Sequence, residues 1–434
     1  MRILVETGSY HLLNHGDVAM LQVAVARLRD LWPEAQVQVI TDAPDRLVRY
    51  CPDARPVLAD GHRHWLKERF LPAPLYRIAP RPVGRRLWRL ERRARNAWPA
   101  LALSGLRWRA RLLGKEADRR TGDYLEALLR ADLVVASGGG YITDLFKGQA
   151  VMVLDTLRIA LRLGKPTAMV GQGLGPLQQP ALLTRARQVL PRVDLIALRE
   201  GRAAPRLLDT LGVPPDRVVT TGDDAVEMAY AMRPSRLGEG IGVNLRVASY
   251  SEVDADLIQR VRRALQEAAS AHRAPMVPIP ISSHPWDSDV ETLRRLLAGY
   301  EPVWNGRGSL DAPEEVIEQV RRCRLVVTGS YHGAVFALAQ GIPAIGLAKS
   351  TYYLDKFLGL AEQFGAGCQV IRLDDERLGG KLVQAIGEAW RSAEGVRPRL
   401  LEAAARQIER GWAAYRHLHE IVARSRAGAV GEAR

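Results

Sequence analysis

A chain of 434 residues is too long for one ordinary hydrophobic core and implies two domains of roughly 200 residues each. With 47% hydrophobic and 25% charged residues it has the balance of a globular protein, and no window approaches the ~20 apolar residues of a membrane-spanning helix. Its formal charge is +14, and its three cysteines, Cys51, Cys323 and Cys368, are scattered and odd in number; this excludes a disulfide framework and indicates a reducing compartment.

The opening MRILVETGSY reads as a strand running into a turn, without the basic start and apolar centre of a secretory signal, so a cytoplasmic location is expected. Strand patterns follow at Arg2–Glu6, Gln36–Thr41, Leu133–Ala136, Thr167–Gly171, Leu195–Leu198 and Val218–Thr220. Helical periodicity fills Asp17–Trp32, Gly122–Leu129, Gln149–Leu163, Pro180–Val189 and Gly201–Leu211. Strands followed by single helices predict a doubly wound parallel sheet. A Pro/Gly-containing stretch, Met232 to Gly240, reads as a linker between a first domain over 1–232 and a second over 241–380.

The second half repeats the alternation: strand 241–245, helix 252–271, strand 276–280, helices 287–299 and 312–322, strand 325–328, helix 333–340, and strands near 344–347 and 370–373. Residues 381–434 are helical, rich in Arg, Glu and Ala, and expected to pack across both domains or lie on the surface. The fold class is therefore α/β, with two Rossmann-like doubly wound parallel-sheet domains in a GT-B-like arrangement around an interdomain cleft. Residues 61–120 interrupt the first domain with 17 Lys and Arg against Glu68, Glu91, Glu116 and Asp118, which is nearly the whole charge excess. They also hold Trp65, Trp88, Trp98 and Trp108 and read as a basic helical insertion.

Polar residues gather at the strand ends. Asn14-His15-Gly16-Asp17 suits a loop that caps the first helix, and two histidines (His11, His15) with an asparagine at a sheet's carboxyl edge equally suit a binding site. Ser137-Gly138-Gly139-Gly140 lets backbone approach a ligand closely. Gly171-Gln172-Gly173-Leu174-Gly175-Pro176 lacks the acidic residue ~20 positions later that a dinucleotide site needs. Arg199-Glu200 and Gly222-Asp223 end two further strands; Asp223 can position a sugar hydroxyl or an arginine, or cap the next helix. Arg246 closes the first strand of the second half, where its planar fork suits phosphate or carboxylate. Lys349 and Lys356 can add charge to the same pocket. Thr328-Gly329-Ser330-Tyr331-His332-Gly333 opens a helix whose free N–H groups favour an anion, and His332 there can move a proton or merely cap the turn. HExxH, GxSxG, the P-loop pattern and Cys/His metal spacings are absent, so neither metal nor cofactor is expected.

Taken in order over roughly residues 1–375, these turns, with Gly341-Ile342-Pro343 after the histidine helix, resemble the polysaccharide pyruvyl transferase family. The resemblance implies transfer of a pyruvyl group from phosphoenolpyruvate to a sugar hydroxyl of a cell-surface glycan or sugar-containing metabolite. It implies His332 as the proton-transfer residue and a donor site drawn from Arg246, Ser330, Tyr331, Gly333, Lys349 and Lys356. The acceptor side would draw on Asn14, His15, Gly16, Asp17, Gly139, Gly140, Gln172, Arg199, Glu200 and Asp223. The family pattern carries an arginine two residues before the histidine; here that position is Ser330, and Lys349, Lys356 or Arg246 would supply the charge. A nucleotide-sugar glycosyltransferase of GT-B fold, or a divergent relative with another anionic donor or without activity, stays open. A lipid-linked glycan acceptor would fit an anionic membrane surface under residues 61–120, peripheral at the inner face; nucleic acid is the least favoured partner, since no nucleic-acid fold is visible.

Overall fold

The computed structural model describes residues 1–67, 81–114, 116–246, 253–285, 288–300 and 310–432; residues 68–80 and 115 of the basic segment lie outside that set. The first half runs β1 (Arg2–Glu6), α1 (His15–Leu31), β2 (Gln36–Thr41), α2 (Pro44–Tyr50), β3 (Arg55–Leu58) and α3 (Ala59–Lys67). Three further helices follow, α4 (Arg81–Ala97), α5 (Pro99–Leu113) and α6 (Glu116–Arg130). The half then closes with β4 (Leu133–Ala136), β5 (Gly139–Ile142), α7 (Lys147–Arg162), β6 (Thr167–Leu174), α8 (Pro180–Val189), β7 (Leu195–Leu198), α9 (Ala203–Thr210), β8 (Val218–Thr220) and α10 (Ala225–Ala231).

These strands form one parallel sheet in the order β3-β2-β1-β4-β6-β7-β8, with β5 pairing β6 off that path. Ile3, Leu4 and Val5 of β1 and every residue of β4 are fully buried, as strands covered by helices on both faces must be. Strand β5 and the helices α2 and α10 were not expected from sequence, and two other strands depart from that reading. The strand expected at 167–171 continues to Leu174, because β5 supplies a partner for Gln172 and Leu174. Arg55–Leu58 was not expected as a strand; Pro56 argues against one, and the segment is tolerated because it is the sheet's edge.

The second half contains β9 (Gly240–Asn244), α11 (Ala255–His272), β10 (Met276–Pro278), α12 (Asp289–Leu296), α13 (Pro313–Val320) and β11 (Cys323–Thr328). It continues with α14 (Tyr331–Ala339), β12 (Ala344–Ala348), α15 (Thr351–Phe364), β13 (Cys368–Arg372) and α16 (Leu378–Glu432). Its sheet is parallel, in the order β10-β9-β11-β12-β13. Each sheet reverses its winding once, between β1 and β4 and between β9 and β11. Such switch points leave a crevice at the strands' carboxyl ends.

α16 explains how the halves are held. Its first part, Leu378 to Ile386, packs with the β9 and β11 core, and its last part, Ala414 to Val422, packs on Ile3, Val5 and Leu133 of the first sheet. Buried charge reinforces the seam. Arg27 of α1 pairs with Asp224 at 2.8 Å and with Glu227 at 2.5 Å, and its guanidinium lies 5.5 Å over the Trp412 ring and 5.0 Å over the Tyr415 ring. Tyr415 donates to Asp224 at 3.1 Å. Removing one member would strand buried charge. We expect Arg27→Ala to cost about 3–5 kcal/mol in a denaturant titration, where an exposed arginine would cost almost nothing.

Candidate functional site

The two switch points face one another. Between them lies a cleft of about 680 Å³, lined from the first sheet by Gly8, Tyr10, Asn14, Asp17, Gly140 and Arg199 and from the second by Arg246, Ser330, His332 and Lys356, among others. The β1–α1 loop is tied to the second half by backbone bonds: His15 N–H donates to Ile281 O at 2.9 Å, and Ser283 N–H to Leu13 O at 2.9 Å. Asn14 caps α1, its Oδ1 accepting from Gly16 and Asp17 N–H at 3.0 and 3.2 Å. Gly16 is required by contact: a Cβ there would sit 1.9 Å from Cγ and 2.0 Å from Nδ1 of His332. The first turn of α1 thus forms the floor on which the His332 ring rests.

His332 Nε2 faces Asp223 Oδ2 at 3.6 Å. Asp223 also lies 3.4 Å from Arg199 Nη1, and its Oδ1 accepts the Ala225 N–H at 2.9 Å. Burial alone would raise the Asp223 carboxyl; the His332 ring and Arg199 reverse that and hold it below the usual carboxylate range. The histidine, the carboxylate and the arginine come from α14, the β8 end and the β7 end respectively, so only the folded cleft assembles them. An imidazole placed beside a carboxylate at the mouth of a cleft is a candidate to exchange a proton with a bound ligand.

Positive charge converges on Gly140. A Cβ there would lie 2.8 Å from both Arg199 Nη2 and Lys356 Nζ. Arg199 is buried, stacks over the Tyr331 ring at 4.3 Å, and its Nε has no hydrogen-bond partner among the described residues. Lys356 donates to the Tyr352 hydroxyl, which donates to Gly140 O at 3.0 Å. Burial, and after it the neighbouring Arg199 cation, push the Lys356 ammonium well below its usual range. An anion bound here would relieve that repulsion. Arg246 also faces the cleft, but its Nη1 donates to Asp289 at 2.9 Å, so its charge is partly balanced.

The residues expected from sequence divide by position. Asn14, Asp17, Gly140, Arg199, Arg246, Ser330, Tyr331, His332 and Lys356 line the cleft, with Asp223 directly behind His332. Gly16, Gly139 and Gly333 shape its backbone; a Cβ on Gly333 would meet Thr328 Oγ1 at 2.6 Å. Four residues point elsewhere. His15 is buried outside the lining, and that burial pushes its pKa down to about 4. Gln172 is buried and donates to Ser137 O at 2.7 Å and Tyr141 Oη at 2.9 Å. Glu200 caps α9 through the Arg202 and Ala203 N–H groups at 2.6 and 3.2 Å. Lys349 is not among the lining residues, and its charge acts on Asp374. Conversely Tyr10, His284, Tyr352 and Tyr353 line the cleft without having been singled out. All follow a strand's carboxyl end, so the rule that found Asn14 and Ser330 reaches them too. Among the described residues no group of three or more His, Cys, Asp or Glu side chains could hold a metal ion.

Two parallel-sheet Rossmann-like domains closing on such a cleft define a GT-B fold, and solved enzymes share it. These include the S. aureus MnaA–UDP complex (TM-score 0.52, 14% identity, covering 97% of this chain and 95% of that one). A Neisseria meningitidis UDP-GlcNAc 2-epimerase bound to UDP-GlcNAc (0.51, 10%, 99% and 100%) and a Rickettsia africae glycosyltransferase (0.52, 11%, 97% and 98%) are similar in the same way. At these identities the likeness is one of fold. No curated protein matched the chain in sequence. The model of the polysaccharide pyruvyl transferase family matches residues 14–351, and the chain belongs to that family; it is a transferase.

Tyr10, in the cleft wall, is held from behind by Glu6, which accepts from the Tyr10 hydroxyl and from Thr156 Oγ1 at 2.6 Å. Burial pushes Glu6 up to about 7 from 4.5, against the opposing pull of those two bonds. The folded state therefore holds a proton that the unfolded state has released between those pH values. Glu6's contribution to stability is full below 4.5 and lost as pH rises through 7, a fall on the order of 3 kcal/mol. Denaturant titrations should show this slope in the native protein and its absence in Glu6→Gln.

Proposed function

We propose that the cleft transfers a pyruvyl group from phosphoenolpyruvate to hydroxyls of a sugar in a cell-surface glycan or its lipid-linked precursor. The observation that carries this reading is the His332–Asp223 pair set beside the Arg199–Lys356 cations. His332, with Asp223 Oδ2 3.6 Å from its Nε2, gives a proton to the methylene carbon of the enol. The adjacent carbon becomes cationic, and a sugar hydroxyl adds to it, returning its proton to His332. Phosphate then leaves and a second hydroxyl closes the ketal, so one substrate proton ends on the new methyl group and the other on phosphate. A trianionic donor needs fixed positive charge where phosphate departs. In this reading Arg199 and Lys356 supply it, with Arg246 at the opposite wall, and so take the part of the arginine that Ser330 replaces. Asn14 and Asp17, on the α1 turn under the imidazole, orient the acceptor hydroxyl.

The test is phosphate release from phosphoenolpyruvate with purified protein and a panel of nucleotide- and lipid-linked sugars. His332→Ala should lower the rate by on the order of 10²–10⁴-fold with the fold unchanged by circular dichroism. Lys356→Met and Arg199→Met should each raise the KM for phosphoenolpyruvate about tenfold or more, the scale of a lost charge-assisted hydrogen bond. Unchanged turnover in His332→Ala would remove its assigned role. Calorimetric binding of UDP-sugars, with none of phosphoenolpyruvate, would replace the donor.

A further inference from the structure

Among the described residues, α4, α5 and Trp98 between them carry most of the exposed large apolar side chains. Among the described residues these are Val83, Leu90, Trp98, Leu101, Trp108 and Leu112, with Val48 and Leu145 elsewhere. Their spacing is helical. On α4, Val83, Leu90, Ala94 and Ala97 fall on one side, and on α5, Leu101, Gly105, Trp108 and Leu112 do the same. Leu101 is 71% exposed, Trp108 66% and Leu112 61%, so neither stripe is buried by the domain that carries it. An apolar stripe normally faces the core; here it faces outward.

Arginines flank each stripe in the same rotational sense about its helix, Arg107 among them also pairing with Glu126. Arg86, Arg89 and Arg93 follow the α4 stripe around the helix, and Arg107 and Arg111 follow that of α5. Beside the α4 flank, Arg89, Arg92, Arg93, Arg158 and Arg162 surround a cavity of about 250 Å³ with Asn96 and Gln188. Within it, Arg158 pairs with Asp155 through Nη2, while its buried Nε has no hydrogen-bond partner among the described residues. A helix with aliphatic and tryptophan residues outward and arginines at its flank is built to lie in a lipid–water interface.

We propose that α4 and α5 dock on an anionic phospholipid bilayer, their stripes entering the headgroup layer and the arginine cavity receiving lipid phosphate. The exposed chemistry separates this from other partners. The tryptophans alone could stack on bases, but the leucines and valine of the same stripes give a nucleic acid nothing to bind, whereas acyl chains take up all of them. The inference is independent of the donor: vesicle binding needs no phosphoenolpyruvate, so either reading can fail alone.

Co-sedimentation of the full chain with vesicles tests it. At low salt the protein should pellet with phosphatidylcholine–phosphatidylglycerol vesicles and not with pure phosphatidylcholine, and added salt should weaken binding. Replacing Leu90, Trp98, Leu101, Trp108 and Leu112 by serine leaves the charge unchanged and should lower partitioning by at least about tenfold. Arg89→Gln with Arg93→Gln should lower it in a way that depends on the anionic lipid. Because truncation could disturb the helices, Trp98→Phe with Trp108→Phe serves as a conservative pair. It should keep binding but lose the blue shift of tryptophan fluorescence that vesicles induce in the native chain. Failure to pellet with anionic vesicles overturns the proposal. So does full binding by the serine variant, or a salt-sensitive preference for a single-stranded oligonucleotide, or a dimer in sedimentation velocity that the serine variant loses.

Discussion

The cleft depends on one close approach, that of the first turn of α1 to the His332 ring. Gly16 has no side chain, so an imidazole from the second sheet can lie directly on backbone of the first. A single methyl group there would overlap the ring by more than any rotamer shift could absorb. The contact also fixes the relative placement of the halves, since the same loop bonds to Ile281 and Ser283 of the second half. The rest of the site is arranged around this seam: Asp223 behind the ring, Arg199 against Asp223, and Lys356 against Arg199.

Buried charge is treated in two ways in this molecule. At Arg27 it is fully matched by Asp224 and Glu227 and covered by the aromatic rings of α16, which makes it a structural clamp. At Arg199 and Lys356 two cations lie side by side: Arg199 pairs loosely with Asp223 at 3.4 Å, Lys356 donates to the Tyr352 hydroxyl, and burial with the Arg199 charge holds the lysine well below its usual range. Uncompensated positive charge in a concave, largely desolvated place is costly to hold and favours an arriving anion.

Much of this was legible along the chain. The parallel strands are short apolar runs flanked by helical periodicity, and a parallel sheet brings every strand's carboxyl end to one edge. That rule places Asn14, Gly140, Arg199, Arg246 and His332 at the carboxyl edges of their sheets. It could not say which way each side chain turns. His15 and Gln172 share loops and strands with cleft residues and yet face the interior, while Glu200 spends its oxygens on the start of α9. Edge strand β3 was hidden by Pro56, and β5 by its glycines, since neither has the apolar run by which strands are found.

Sequence by itself determined the class: two doubly wound sheets, the chemistry available at their edges, and a basic, tryptophan-bearing helical segment. Local pattern suffices for these because periodicity and turn residues act within a few positions of one another. Tertiary structure alone decided that Asp223 stands behind His332, that Arg199 and Lys356 meet at Gly140, and that the apolar stripes of α4 and α5 face outward. Each of these joins residues far apart in the chain, and no property of either partner's neighbourhood encodes the distance between them.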